Sequence, residues 1–475
     1  MRASDHLLND VHSQLNPTRV ARVERPLTLA ELQALVVSAR AKKQYISTAG
    51  GRHAMGGQQF AADTLHVDTT QMEKVLVSDG ERGLLTMEAG AMWPAIIAAT
   101  HVMPSEGRPA WAIRQKQTGV DAVTLGGSIA ANAHGRGLAM QPLSDDIEEL
   151  TLVDALGNVV VCNRSKNAEL FSLVIGGYGL FGIVYSATLR LTPRVLLQRE
   201  VDIIDLDDAM NAVFRRVDEG CLYGDFQFVI DATDDRFLRR GVLACYKPAS
   251  IQTPPSDTTA DLDPKEWLQL LRLAHQDKRA AFRRYASHYL NTDGNCYWSD
   301  TMQLSTYIPS YAEALAEPLD NTSEGAPRET LVIGEYYVPR ESLPLFMQRA
   351  GNILRAFGTE VIYGTIRSIL CDTTSFLPWA KADFACVIFN LRTPHNDAGL
   401  LRTADTFRAL IDVSIELRGS FFLTYHRAAS PSQVAACYPN FRQWLAKKKL
   451  HDPSERFTST WYMHYRDAFA SESPR

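Results

Sequence analysis

The stretch Ala49-Gly50-Gly51-Arg52-His53-Ala54-Met55-Gly56-Gly57-Gln58 follows directly on a short predicted strand at 45–48, and its reading decides the fold. Glycines placed between a strand and the next element let the backbone take positive φ and turn successive N–H groups into one concavity, which suits a pyrophosphate. Two further glycine clusters follow, at 118–137 and in Gly176-Gly177-Tyr178-Gly179-Leu180-Phe181-Gly182-Ile183-Val184. Glycines that merely serve turns are the competing reading of any one cluster, but three together point to a large phosphate-bearing ligand. None has the GxGxxG spacing that opens a dinucleotide-binding helix, and none has GxxxxGK[ST], so Rossmann and P-loop readings are disfavoured.

Working outward, Thr28 and Glu31 have capping-box spacing, and Leu32, Leu35, Val36 and Ala39 recur at helical intervals, which predicts an amphipathic helix ahead of the loop. Short strands are expected at 65–68, 74–77 and 84–88, a loop at 118–137, and a hairpin of 149–154 with 159–162 about Gly157-Asn158. The third cluster leads into a strand through Leu191. Beyond Pro193 glycine becomes sparse. Apolar strands at 225–230, 242–247, 331–338, 361–369 and 384–391 alternate with helical patterns, which predicts a second domain of antiparallel sheet with helices on one face. The Pro/Ser/Thr/Asp-rich stretch 248–264 reads as an exposed loop.

With 475 residues the chain is longer than one hydrophobic core usually organises. Its 45% apolar and 22% charged composition is that of a folded globule, and a formal charge of −5 argues against nucleic acid as a partner. The N-terminal residues do not read as a secretory signal, and no apolar run is long enough to span a bilayer. The 7 cysteines are scattered without CxxC spacing, which fits neither a disulfide framework nor a zinc site. No metal is expected, and a reducing, cytoplasmic compartment is.

Taken together, AGGRHAMGGQ at 49–58, TGVDAVTLGGSIAANAHGRG at 118–137, GGYGLFGIV at 176–184 and DPSERF at 452–457 resemble the vanillyl-alcohol-oxidase-type flavoproteins, with their PCMH-type FAD-binding domain. The resemblance implies an α+β architecture. Residues 1–193 would form an FAD-binding domain of two α+β subdomains, 194–430 a substrate-binding cap of antiparallel sheet with helices, and 431–475 a segment returning to the first domain. Thr48, Ala49, Gly50, Gly51, Arg52, His53, Ala54, Met55, Gly56, Gly57 and Gln58 would wrap the FAD pyrophosphate. Gly119, Thr124, Leu125, Gly126, Gly127, His134, Gly135, Arg136, Gly137 and Ile183 would line the rest of the cofactor. The residue matching His53 is joined covalently to the flavin in many members; a histidine that only hydrogen-bonds a phosphate is the alternative.

The resemblance also places a reacting site. Segment 131–136 resembles that of the decaprenylphosphoryl-ribose-oxidising members, which puts His134 beside flavin and substrate, and Cys386 matches a pocket cysteine there. Gly364-Thr365-Ile366-Arg367 stands where sugar-lactone and alditol members carry Glu-x-Arg, so Arg367 would stabilise negative charge while Thr365 cannot supply the carboxylate. A late strand at 420–427 would present Tyr425 as a phenol whose pKa a nearby cation lowers, with His426 and Arg427 as further polar groups. Glu335 reads as a base or an edge acid, and Lys447–Lys449 as a solvated helix face. The implied activity is that of an FAD-linked oxidase or dehydrogenase taking hydride from a CH–OH carbon of a sugar-like or polyhydroxylated alcohol. Alternatives are an NAD(P)H-dependent C=C reductase, an oxidase of a phenolic or hydroxy-acid substrate, or a flavin carrier without turnover. The electron acceptor would be oxygen or another compound, and Ala133 leans toward the latter.

Overall fold

The computed structural model describes residues 6–103, 110–250, 256, 262–305 and 328–471. The fold is α+β. A small parallel sheet comes first, with strand order Arg22–Glu24, Leu65–Asp68, Ile46–Ala49. The Leu29–Ala41 helix buries Leu32, Val36 and Ala39 against Ile46, Leu65 and Val67 of this sheet. Its cap is half the expected one. Thr28 Oγ1 accepts from the Glu31 amide at 3.2 Å, but the Glu31 carboxylate accepts from the Leu27 amide instead.

An antiparallel sheet follows, in the order Val159–Asn163, Ile147–Val153, Ile183–Pro193, Leu84–Glu88, Val75–Asp79, with Trp111–Ile113 also paired to Ile183–Pro193. The hairpin about Gly157 lies where the turn residues place it, with Val159 opposite Val153. The 118–137 stretch is not wholly loop. Thr124 Oγ1 accepts from the Gly127 amide and caps a short helix, Leu125–Ala131, whose Leu125 and Ile129 are buried.

From residue 196 the chain builds a separate eight-stranded antiparallel sheet. Its order is Cys296–Trp298, Leu196–Asp205, Arg240–Pro248, Tyr223–Phe228, Val361–Ile369, Phe384–Pro394, Glu329–Pro339, Ser420–Phe421. Strand alternation sorts its side chains. Cross-strand partners Arg199 and Tyr246, Arg367 and Cys386, and Glu335 and Ile388 point to one face. Tyr336 points to the other, where it meets Phe346 of the Leu343–Phe357 helix at 5.9 Å between ring centroids. Helices cover both faces, not one: Tyr289 of Lys278–Asn291 reaches the guanidinium of Arg199 on the polar face.

The expected strand at 420–427 ends at Phe421. Beyond it the backbone turns, because the carbonyls of Leu423 and Thr424 serve the first glycine loop. The C-terminal DPSERF segment runs beside Ile46, whose amide donates to the Arg456 carbonyl at 2.7 Å and whose carbonyl accepts from Thr458. Lys448 is not on a solvated face. It is buried against Asp452 at 2.5 Å, while Lys447 pairs with Glu169 at the surface. Most of the 248–264 stretch lies outside the described residues. No helix among the described residues is long and apolar enough to cross a membrane, and every cysteine is a free thiol.

Candidate active site

A cavity of about 800 Å³ lies between the glycine clusters and the polar face of the eight-stranded sheet. One end is walled by Thr48 to Met55, Gln58, Gly119, Gly126, Gly127 and Ile183. At Gly50 and Gly51 a Cβ would overlap the Thr124 side chain and the Ala122 carbonyl, so only glycine lets the first cluster lie against the second. Gly119 holds φ at +82°, the left-handed region, and its amide donates to Ser305 Oγ at 2.9 Å.

The first loop is fixed from outside itself. Met55 and Gly56 amides donate to the Thr424 carbonyl, and Gln58 Nε2 donates to the carbonyls of Leu423 at 2.8 Å and Thr424 at 3.0 Å. Gly56 and Gly57 therefore turn away from the cavity: Gly57, with φ +80°, accepts from the Trp461 amide. Thr124 and Leu125 are likewise behind the wall, one spent as the cap and the other in the core.

His53 lines the cavity with both ring nitrogens engaged. Nε2 lies 3.0 Å from the Ala122 carbonyl, which can only accept, so Nε2 carries the proton and Nδ1 accepts from His12 Nε2 at 2.8 Å. Burial, with the nearby His12 and Arg52, lowers the His53 pKa to about 3 against the pull of the Ala122 carbonyl, so the ring is neutral. Sequence reading missed His12, which stands outside every glycine cluster. Asp10 places it by accepting from the amides of His12, Ser13 and Gln14, and the Val11 amide donates to Arg52.

Mid-cavity, Arg367 and Tyr425 reach the wall. Arg367 is 8% exposed, and its Nε is buried without a partner. Tyr425 is a phenol and not the expected base. Burial and the Glu335 charge push its pKa well above the usual value, outweighing Gln117 and Arg367. His426 does not reach the cavity. It stacks on Phe407 at 4.0 Å, and burial lowers its pKa to about 3.

His134 is not in the cavity wall, although its neighbour Ala133 is. Its Nε2 lies 2.7 Å from Glu335 Oε1, its Nδ1 faces the Gly135 carbonyl at 3.0 Å, and its ring lies against Trp379. Glu335 is 2% exposed and accepts also from the Tyr337 hydroxyl and the Cys386 thiol. It is no edge acid. Burial alone would raise its pKa, but His134, Tyr337 and Arg367 bring it below the ordinary carboxylate value. His134, Glu335 and Cys386 could in principle hold a metal ion, but the thiol is held well above its usual pKa by burial and Glu335, which disfavours the thiolate ligand.

Arg136 lines the other end of the cavity, reached through a tie of its carbonyl to the Gly224 amide at 2.9 Å. Gly135 and Gly137 stay out of the wall, the former donating to Gln115 Oε1 and the latter paired with Tyr223. The Arg136 guanidinium sits 3.5 Å from Asp225 and over the Tyr246 ring. Arg199 donates to the Tyr246 hydroxyl at 3.1 Å and to Thr292 Oγ1 at 2.5 Å, with the Tyr289 and Tyr297 rings against it. Thr365 is spent on Asp225, to which its hydroxyl donates at 3.0 Å.

Comparison with known proteins covers the first two glycine clusters in its family match. Residues 20–163 match the family described as FAD binding domain. The chain carries an FAD-binding domain. Over 167 residues, 35% of this chain and 36% of the relative, it is 29% identical to the uncharacterized oxidoreductase ORF5 in fasciation locus of Rhodococcoides fascians. Over 174 residues, 37% of this chain and 38% of the relative, it is 28% identical to L-gulonolactone oxidase of Bos taurus. Over 207 residues, 42% of this chain and 33% of the relative, it is 27% identical to the mitochondrial L-galactono-1,4-lactone dehydrogenase of Arabidopsis thaliana. The matches thus span only about a third of each relative's length.

The FAD-binding domain has the groups its ligand needs. The amides of Gly50, Gly51, Arg52 and Ala54 donate to no group among the described residues. Thr118 Oγ1, Gln58 Oε1 and Gln59 Oε1 are buried without a partner, on residues that line the cavity. Unmet donors and acceptors are costly in a folded protein; the phosphate oxygens of a dinucleotide could accept from the amides, and its ring N–H and hydroxyl groups could donate to the glutamine oxygens.

Proposed function

We propose that the protein is an FAD-dependent oxidoreductase that oxidises a CH–OH group of a sugar-like or polyhydroxylated alcohol. Residues 1–193 with the tail 431–475 would hold the cofactor, and 194–430 would form the substrate-binding cap. When bound, FAD takes up the hydride at its N5. The observation that carries this reading is the continuity of one cavity from the amides of the first glycine loop to Arg367 and Tyr425. Arg367, charged and buried, favours the anionic form of an oxygen bound beside it. Tyr425, kept as a phenol, donates a hydrogen bond to that oxygen. The His134–Glu335 pair stands behind them as a positioning pair, holding the strand face on which Arg367 lies.

Attachment of the flavin to His53 belongs to the same reading, supported by an imidazole kept neutral and therefore nucleophilic. Both nitrogens have partners here, so the ring gives up one of them when the bond forms. A non-oxygen acceptor is supported by Ala133 in the cavity wall, and a cytoplasmic location by the free cysteines. The test is anaerobic: the yellow FAD-loaded protein is mixed with a panel of polyols, sugar lactones, hydroxy acids and NADPH. Bleaching by an alcohol is expected. Bleaching by NADPH alone assigns a C=C reductase instead, and reoxidation with oxygen against an artificial dye identifies the acceptor class.

A further inference from the structure

The cavity has a charge asymmetry at the end away from the first glycine loop. Among its described lining residues Asp225 is the one carboxylate, and Arg136, Arg199 and Arg367 face it. All four lie on or against the polar face of the eight-stranded sheet, with Arg136 carried there by the Gly224 tie. Two of these cations have unmet hydrogen-bonding capacity. Arg367 is more than nine-tenths buried with a partnerless Nε, and the Nε of Arg136 is buried in the same state. A guanidinium withdrawn from water needs a counter-charge, and the Arg136–Asp225 contact at 3.5 Å is too long for a good hydrogen bond.

This cluster is not placed for the cofactor phosphates. The first glycine loop is tied to residues just beyond Ser420–Phe421, at one edge of the sheet. Tyr246, over which Arg136 lies, is on Arg240–Pro248, five strand positions away, and at the usual strand spacing that is roughly 24 Å. Arg367 stands between, on Val361–Ile369. The free carboxylate oxygen of Asp225 and the phenols of Tyr246, Tyr289 and Tyr363 around the arginines suit hydroxyl groups.

We infer that the Arg136–Arg199–Asp225 end of the cavity is an anion-and-hydroxyl subsite, which selects a substrate bearing a carboxylate or phosphate a few carbons from its reacting alcohol. The inference rests on the proposed alcohol oxidation for its second half and on this subsite alone for its first. Arg136 and Arg199 hold the anionic group, Asp225 accepts from a neighbouring hydroxyl, and Arg367 faces the reacting oxygen.

The experiment uses the FAD-loaded full chain and matched probes: sorbitol, gluconate and sorbitol 6-phosphate, with benzyl alcohol and 4-(hydroxymethyl)benzoate as an aromatic pair. Binding is read from perturbation of the flavin spectrum and turnover from anaerobic bleaching. At least one anionic probe is expected to bind roughly tenfold more tightly than its neutral partner, the size of a charge-assisted hydrogen bond, with affinity falling as salt rises. Which of gluconate and sorbitol 6-phosphate wins decides between carboxylate and phosphate. Arg136→Gln should abolish the preference, and Arg136→Lys should restore part of it. Asp225→Asn should tighten the anionic probe severalfold, which a merely structural aspartate would not do. Equal affinity within both matched sets, or a preference that survives Arg136→Gln, overturns the subsite. Tight anion binding with no bleaching by any alcohol leaves the subsite standing and overturns the oxidation reading instead.

Discussion

Residues in this protein act according to how completely their surroundings occupy them, and His53 and Arg367 are the two extremes. His53 has each nitrogen held, by Ala122 and by His12, and is kept neutral. Arg367 is buried with an unmet nitrogen. His53→Ala is expected to leave FAD bound but released by acid, so that the precipitated pellet is colourless where that of the parent protein is yellow. A colourless parent pellet removes the covalent linkage from the proposal. Arg367→Met removes charge without much volume. It should keep the yellow colour and slow anaerobic bleaching by about 10²–10³, the loss seen when one donor to a developing oxyanion is deleted; unchanged bleaching would exclude Arg367 from the reacting centre. His53 was legible because it sits inside a glycine cluster of recognisable composition. His12 was not, because what brings it to His53 is the Asp10 turn and the Val11–Arg52 hydrogen bond, long-range consequences of packing that no local pattern encodes.

Elements were legible to the degree that local pattern and tertiary demand agreed. The Val361–Ile369 strand lies at the limits its apolar run predicts, and the hairpin about Gly157-Asn158 follows its turn residues. The pattern at 420–427 is just as strand-like, yet pairing ends at Phe421 because the next carbonyls bind Gln58 and the Met55 and Gly56 amides. Tertiary hydrogen bonding prevails over β-propensity there. In the turn that follows Phe421 the alternation that would have set Tyr425 opposite His426 loses its basis: Tyr425 lines the cavity while His426 stacks on Phe407. That turn couples the first glycine loop to the large sheet. Gln58→Leu keeps the side-chain size and removes the donor shared by the Leu423 and Thr424 carbonyls. About 1–3 kcal/mol of stability should be lost for the unmet acceptors. FAD should also be retained less well, since the loop is no longer registered against the turn. Urea melts and the ratio of flavin to protein after gel filtration check both, and a variant that melts earlier yet keeps its flavin would show that the tie is structural only.

At the scale of the whole molecule, several histidines are folded away as neutral rings, and the sign of their effect on stability can be worked out. His66 is 1% exposed, with Ser47 Oγ 3.0 Å from its Nδ1, and burial lowers its pKa to about 4. His426 is buried between Phe407 and Phe421, with a pKa lowered to about 3 by burial and by Arg408. In the unfolded chain both would titrate near 6.5. Above that pH neither state holds the extra proton and the two rings leave stability unaffected. As the pH falls below 6.5 the unfolded chain takes up protons that the folded chain refuses. Each ring then removes up to about 1.4 kcal/mol per pH unit, and the loss levels off only near the folded pKa. Stability should therefore be flat from pH 8 to 7 and fall steeply between pH 6 and 4. His426→Phe isolates one ring, because phenylalanine can keep the stacking on Phe407 but cannot titrate. The variant loses the bond from the Ala428 amide to Nδ1, so its absolute stability is a poor guide. The difference between pH 7 and pH 5 is the informative quantity. Urea melts at the two pH values should show a loss smaller by about 2 kcal/mol in His426→Phe than in the parent protein. An equal loss in both would mean that the buried ring accepts its proton in the folded state, and that the acid sensitivity originates in other groups.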